Sequence, residues 1–172
     1  ELCGMTVNSF LVSHDSTQCV GYVIDVQGVR FMIATDCGEP SAALQAALRS
    51  SNHIVIEANH DECMLLNGPY PTYLKERILS PRGHQSNVVC GELLADNFHS
   101  GMRHIWLCHL SEENNDPDLA HRTVAEYLDS VGADLLTSLP AGGLVPENKT
   151  FLTALDRLEP SPIYVLKAAK NS

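Results

Sequence analysis

Four short polar stretches, Ser13-His14-Asp15, Thr35-Asp36-Cys37-Gly38, Gly83-His84-Gln85-Ser86-Asn87 and Cys108-His109-Leu110-Ser111, each end a strand-like run or open a helix-like one. Strand ends are where sheets gather their sites. His14 follows one apolar run, Asp36 a second and His109 a third, so a folded sheet can carry two imidazoles and a carboxylate to one edge. That donor set suits zinc or manganese. Taken alone, each residue reads more readily as a polar group satisfied at a strand end, and spacing does not separate the two readings.

The elements that must position these residues are visible in the periodicity. Val20, Tyr22, Ile24 and Val26 alternate, as do Val29, Phe31 and Ile33, with Gly28 between the runs, which predicts a hairpin. Leu44, Ala47 and Leu48 give residues 41–49 a helical stripe, and Ile54-Val55-Ile56 is the all-apolar run of a buried strand. Residues 71–79 look helical, Pro81-Arg82-Gly83 interrupts them, and residues 85–98 resume with Cys90, Leu93, Leu94 and Phe98 on one face. A strand is expected over residues 104–108. Asp116-Pro117 sets an N-cap acid before a proline at the first helical position and opens a helix striped by Ala120, Val124, Tyr127, Leu128 and Val131, ended by Gly132. Residues 140–148 read as a loop and 163–166 as a closing strand. Strands first and then alternating β and α predict a single α/β domain over residues 1–172, its sheet covered by helices on the outer face.

Composition bounds the function. The 172 residues are 44% hydrophobic and 19% charged, which sets disorder aside. A formal charge of −10, from 21 acids against 11 Lys and Arg, argues against a surface that coats nucleic acid or anionic lipid all over and leaves room for a local basic patch. No apolar run reaches the roughly 18 residues of a membrane span. The six cysteines are scattered singly and the first residues lack a signal-peptide pattern, which points to a reducing, cytoplasmic setting. The sequence opens at Glu1 and reaches its first methionine at Met5, as a fragment or a processed piece would.

Longer stretches carry a likeness. Phe10-Leu11-Val12-Ser13-His14-Asp15, Ala34-Thr35-Asp36-Cys37-Gly38, Ile56-Glu57-Ala58-Asn59-His60-Asp61-Glu62-Cys63-Met64-Leu65 and Asn67-Gly68-Pro69-Tyr70-Pro71 come first. Lys75-Glu76-Arg77-Ile78-Leu79-Ser80, Arg82-Gly83-His84-Gln85-Ser86-Asn87 and His109-Leu110-Ser111-Glu112-Glu113-Asn114-Asn115 follow. Their order resembles the second half of a metallo-β-lactamase-fold hydrolase of the YycJ/WalJ type, in the branch that also holds ribonuclease Z and ribonuclease J. The resemblance implies the C-terminal half of an αββα sandwich. It makes His14 the third-motif histidine, Asp36 the carboxylate bridging two metals and His109 the last histidine ligand, with zinc first and manganese second. Two cations about 3.5–4 Å apart need such an anion between them.

Glu57 and His84 resemble the glutamate and histidine beside the metals in ribonuclease Z-like enzymes. There the histidine faces the scissile phosphate while a hydroxide on the two metals attacks it, and a carboxylate keeps that histidine protonated. A structural Glu and a helix-end His are the plainer alternative. Lys75, Arg77 and Arg82 concentrate positive charge in an acidic chain, and Lys75 and Arg82 are expected to receive a polyanion, with Ser86 and Asn87 donating to phosphate at a helix N-terminus. Tyr70 and Tyr73 are candidates to stack on a base.

The family's His-x-His-x-Asp-His signature, which supplies the remaining ligands, is formed by none of the eight histidines. The expectation is therefore a metal-dependent phosphodiester hydrolase, a nuclease with exonuclease action on DNA favoured over RNA, whose missing N-terminal half or a complementary chain completes the site. This chain alone is expected to be inactive, and to aggregate, pair or form a homodimer through its open sheet face. The rival is a non-catalytic half-domain or pseudoenzyme that serves as an interaction module.

Overall fold

The computed structural model describes residues 3–167. Seven strands form one sheet: β1 (Met5–Leu11), β2 (Val20–Val26), β3 (Val29–Ala34), β4 (His53–Glu57), β5 (His104–Cys108), β6 (Leu135–Leu136) and β7 (Thr150–Ala154), in the order β1-β2-β3-β4-β5-β7-β6. β1, β2 and β3 pair antiparallel, and from β3 onward every pairing is parallel. The expected hairpin is present. Gln27 and Gly28 both take positive φ, 49° and 79°, the backbone that a two-residue turn needs to match the twist of its strands.

Five helices complete the chain among the described residues: α1 (Ala42–Ser50), α2 (Glu62–Asn67), α3 (Thr72–Ile78), α4 (Asn87–Asp96) and α5 (Pro117–Ser130). Ser41, Asp61, Ser86 and Asp116 cap α1, α2, α4 and α5 by accepting backbone N–H groups, and Pro117 takes the first helical position as expected. α1, α4 and α5 pack on one face of the sheet. There Met32, Ile54, Ile105 and Leu152 form one cross-strand row and Ala34, Ile56 and Leu107 the next, buried against Leu44, Leu48, Leu94, Val124 and Leu128.

Alternation sends the neighbouring residues to the other face. Phe31, His53, His104 and Phe151 make one row there, and Ile33, Val55, Trp106 and Thr153 another. Tyr164 covers part of it, with ring centroids 4.9 Å from Trp106 and 5.8 Å from His104. Toward β1 the face is open, and Val7, Leu11 and Tyr22 are exposed. No helix among the described residues is long and apolar enough to cross a membrane.

The closing strand lies elsewhere than expected. Residues 163–166 form no strand; the parallel slot beside β5 is taken by β7, whose Phe151 N–H donates to Arg103 C=O, with Leu155 N–H donating to Leu107 C=O just beyond it. Prolines at 160 and 162 remove ladder donors from the later segment, and Ile163 is exposed.

Candidate metal centre

The parallel part of the sheet delivers the site. β3 ends two residues before Asp36, β4 ends on Glu57 and β5 ends one residue before His109, so three adjacent strands bring three polar side chains to their carboxyl ends. His14 arrives from the turn after β1, and His84 from the loop before α4. Two glycines let those loops meet. A Cβ on Gly38 would collide with Pro81 C=O, and one on Gly83 with the carbonyls of Ile78 and Arg77, so only a bare backbone fits at either place.

Glu57 is the hub. Its side chain has no solvent exposure; Oε1 accepts from His84 Nδ1 at 2.7 Å and from His109 Nδ1 at 2.8 Å, while Oε2 accepts from the Cys37 backbone N–H at 2.7 Å. Burial pushes the Glu57 carboxyl up, but the bonds from His109 and His84 outweigh it and hold the carboxyl below its ordinary value. The bond to Glu57 raises His109 in return.

These bonds fix the tautomers. A carboxylate and a carbonyl can only accept, so Nδ1 carries the proton in His84 and His109, and in His14, whose Nδ1 lies 3.1 Å from Gly83 C=O. Each ring is left with Nε2 as its remaining group. His14 Nε2 lies 3.6 Å and His109 Nε2 3.8 Å from the same atom, Asp36 Oδ1. These separations are too long for hydrogen bonds and match donors that share a cation at about 2.0–2.2 Å each. The rings of His14, His84 and His109 stand in a row, with centroids 4.9 Å and then 5.3 Å apart. One donor atom each from His14, Asp36 and His84, or from Glu57, His84 and His109, lies within 4.8 Å of the others. Imidazole nitrogens with a supported second nitrogen, around a carboxylate, fit divalent zinc or manganese.

Asp36 and His109 also hold left-handed backbone, with φ of 53° and 57°. Such conformations are unfavourable outside glycine and collect at functional sites, where the surroundings enforce them. At His109 the enforcing contact is Asn59, whose side-chain amide donates to the His109 carbonyl at 2.9 Å. For Asn59, His60 and Asp61, which stand in one run of the likeness, shaping a loop is at least as good an expectation as a part in the chemistry. In the structure Asp61 caps α2, and His60 is buried with neither ring nitrogen hydrogen-bonded.

A groove of about 920 Å³ opens over the cluster, lined by His14, His84 and His109, by Tyr70, Leu74 and Arg77 on one side and by Ser111, Glu112 and Arg157 on the other. The residues expected to bind phosphate do not line it. Ser86 is buried as the cap of α4, accepting from Val89 N–H and donating to Glu62. Asn87 is buried in a two-way amide pair with Asn115. Lys75 donates its ammonium to the carbonyls of Leu66 and Gly68, and Arg82 gives both Nε and Nη2 to the His14 carbonyl at 3.0 Å. In this structure all four side chains serve as internal supports. Arg77 does reach the groove, bound in a fork by Asp15, whose carboxyl it holds down at about 2.

Cys37 and Cys108 flank the site as neutral thiols. Burial, then the charge of Glu57, raises both, Cys108 to about 12, so neither offers a thiolate.

The fold defines the class first. The structure is similar to the metallo-β-lactamase fold protein YhfI of Bacillus subtilis, with a TM-score of 0.54 over 90% of this chain and 48% of that one, at 12% identity. Sequence comparison goes further. The chain is 36% identical over 126 residues to exodeoxyribonuclease YycJ of Bacillus anthracis, 73% of this chain and 48% of that protein. It is 33% identical over 149 residues to exodeoxyribonuclease WalJ of Streptococcus pneumoniae, 87% of this chain and 55% of that protein. The chain belongs to the YycJ/WalJ type of metallo-β-lactamase-fold proteins, and it spans about half the length of the curated relatives it matches. No protein-family model matches it.

Proposed function

We propose that the chain supplies one half of the active site of a divalent-metal-dependent phosphodiester hydrolase, an exonuclease that acts on DNA. The observation that carries this reading is the shared Glu57 oxygen, which engages Nδ1 of both His84 and His109 and so leaves Nε2 of each free, that of His109 3.8 Å from Asp36, in two rings that line the groove. His14, Asp36 and His109 would hold the metal, with Asp36 between the two histidines. A bound pair of divalent cations, zinc before manganese, supplies charge neutralisation for phosphate and lowers the pKa of water.

The chain's own residues do the rest. Glu57 keeps Nδ1 of His84 engaged, so proton exchange at His84 takes place at Nε2, on the groove side, where the leaving oxygen of a phosphodiester needs a donor. Arg82 and Gly83 hold His14 through its carbonyl and its Nδ1. Tyr70 on the groove wall offers a face for a base. His14, Asp36 and His109 provide fewer donors than two divalent cations require, so activity needs ligands from a further segment or a second chain, and this chain alone is inactive. The open face of Val7, Leu11 and Tyr22 is where such a segment, or a second copy, would cover the sheet.

The rival reading is a non-catalytic interaction module. The gathering of three imidazoles around Asp36 in one groove favours the enzyme, because a surface that only docks a partner has no need of that donor set. The test incubates the full-length protein, loaded with zinc or manganese, with end-labelled DNA and RNA. Stepwise, chelator-sensitive release of mononucleotides from DNA supports the reading; intact DNA and RNA under both metals support the module.

A further inference from the structure

The row of strand ends does not stop at His109. β3, β4, β5 and β7 are consecutive and parallel, and they lead to Asp36, Glu57, His109 and, three residues past β7, Arg157. Arg157 lines the same groove as the histidines. Its Nη2 donates to the carbonyl of Leu110, the residue after His109, at 2.7 Å, which ties the guanidinium to the loop that carries His109.

The other cations nearby are placed differently. Arg77 lines the groove but faces Asp15 in a two-bond fork, whereas Arg82, on the His14 carbonyl, and Lys75, on two carbonyls of the α2 end, do not line it. Arg157 has a looser arrangement. One bond at 2.9 Å goes to Glu112, whose side chain is 77% exposed, and one to a neutral carbonyl, out of about five guanidinium N–H donors. Asp156 beside it does not compete, because its carboxylate accepts the backbone N–H groups of Leu158 and Glu159 and so forms the turn that presents Arg157. A planar cation fixed at two points, with donors remaining and one weak exposed counter-ion, is built to receive a second anion.

We propose that Arg157 is a substrate-binding residue, anchoring a backbone phosphate that neighbours the scissile one on the β7 side of the groove. This rests on the phosphodiesterase reading and adds the side on which the neighbouring phosphate lies: from the histidines toward β7, across the groove from Tyr70. Glu112 acts as a placeholder that orients the guanidinium and gives way to the phosphate.

The test uses the full-length protein and a fluorescein-labelled oligodeoxythymidine of about ten nucleotides, with binding read by anisotropy in chelator so that no turnover intervenes. R157A is expected to weaken binding by about tenfold and to make the dependence of log affinity on log salt shallower by about one phosphate's share. R157K restores the salt slope but only part of the affinity, because it keeps the charge and loses the fork. E112Q tightens binding. With metal restored, R157A raises KM more than it lowers kcat. A wild-type protein that degrades DNA while R157A keeps the wild-type affinity and salt slope overturns the Arg157 assignment and leaves the hydrolase reading standing. A wild-type protein that neither binds the oligonucleotide nor cuts DNA overturns both.

Discussion

Glu57 Oε1 accepts the Nδ1–H of His84 at 2.7 Å from a side chain with no solvent exposure. The same oxygen takes His109 at 2.8 Å, and the other carboxylate oxygen takes Cys37 N–H. Every partner of this carboxylate is a donor, so a neutral amide cannot replace it. In E57Q the NH₂ group must face either the two imidazole N–H groups or the Cys37 N–H. The expected result in the full-length protein is a loss of about 10–100-fold in metal affinity, read by competition with a chromogenic chelator. An unchanged affinity would remove Glu57 from its orienting role.

His84 is predicted to separate chemistry from metal binding. H84A should lower turnover by roughly 10²–10⁴, the usual worth of a positioned proton donor, while elemental analysis finds the metal retained. Loss of metal in parallel with activity would make His84 a ligand instead.

Supports and contacts are distinguishable by their kinetics. Arg82 holds His14 by its carbonyl, so R82A should weaken metal binding and leave the salt dependence of DNA binding as it was. S86A removes the cap of α4 and should cost about 1 kcal/mol of stability, read by denaturant unfolding, with KM unaltered. A steep rise in KM in S86A would return Ser86 to the substrate.

The far face of the sheet predicts a pH dependence unrelated to catalysis. His53 and His104 are buried with their Nδ1 atoms 3.0 Å apart, and burial depresses both to about 4 from an ordinary value of 6.5. The unfolded chain therefore takes up protons that the folded one refuses, so stability is fully present above pH 6.5 and falls as the pH drops toward 4. Each group contributes up to about 1.4 kcal/mol per pH unit in that window. Urea midpoints measured from pH 7.5 to pH 5 should decline, and H104Q should flatten the decline; a flat wild-type profile would contradict it.

Much of this architecture was legible because it is periodic. The β2–β3 hairpin, the buried run of β4 and the Asp116-Pro117 start of α5 follow from alternation, continuous apolar sequence and cap chemistry. β7 was not, because Phe151 and Leu152 stand between threonines after a long loop, while residues 163–166 carry more strand-like side chains and have no partner to pair with. In the site, the histidines and acids at strand ends were visible by type. The fate of Lys75, Arg82, Ser86 and Asn87 was not, since their partners are backbone carbonyls, a backbone N–H and a distant amide that sequence does not place. The same blindness hid the partner of Asn59, which supports His109 through its backbone, and hid Arg157, which reaches the groove from the far end of the sheet.

Metal stoichiometry tests the central claim most directly, because everything proposed depends on Asp36 standing between His14 and His109. Elemental analysis of the full-length protein after zinc loading and gel filtration should find about two equivalents per chain in the wild type and at most about one in D36A. A wild-type protein that retains no metal, or a D36A variant that retains as much as the wild type, would contradict it.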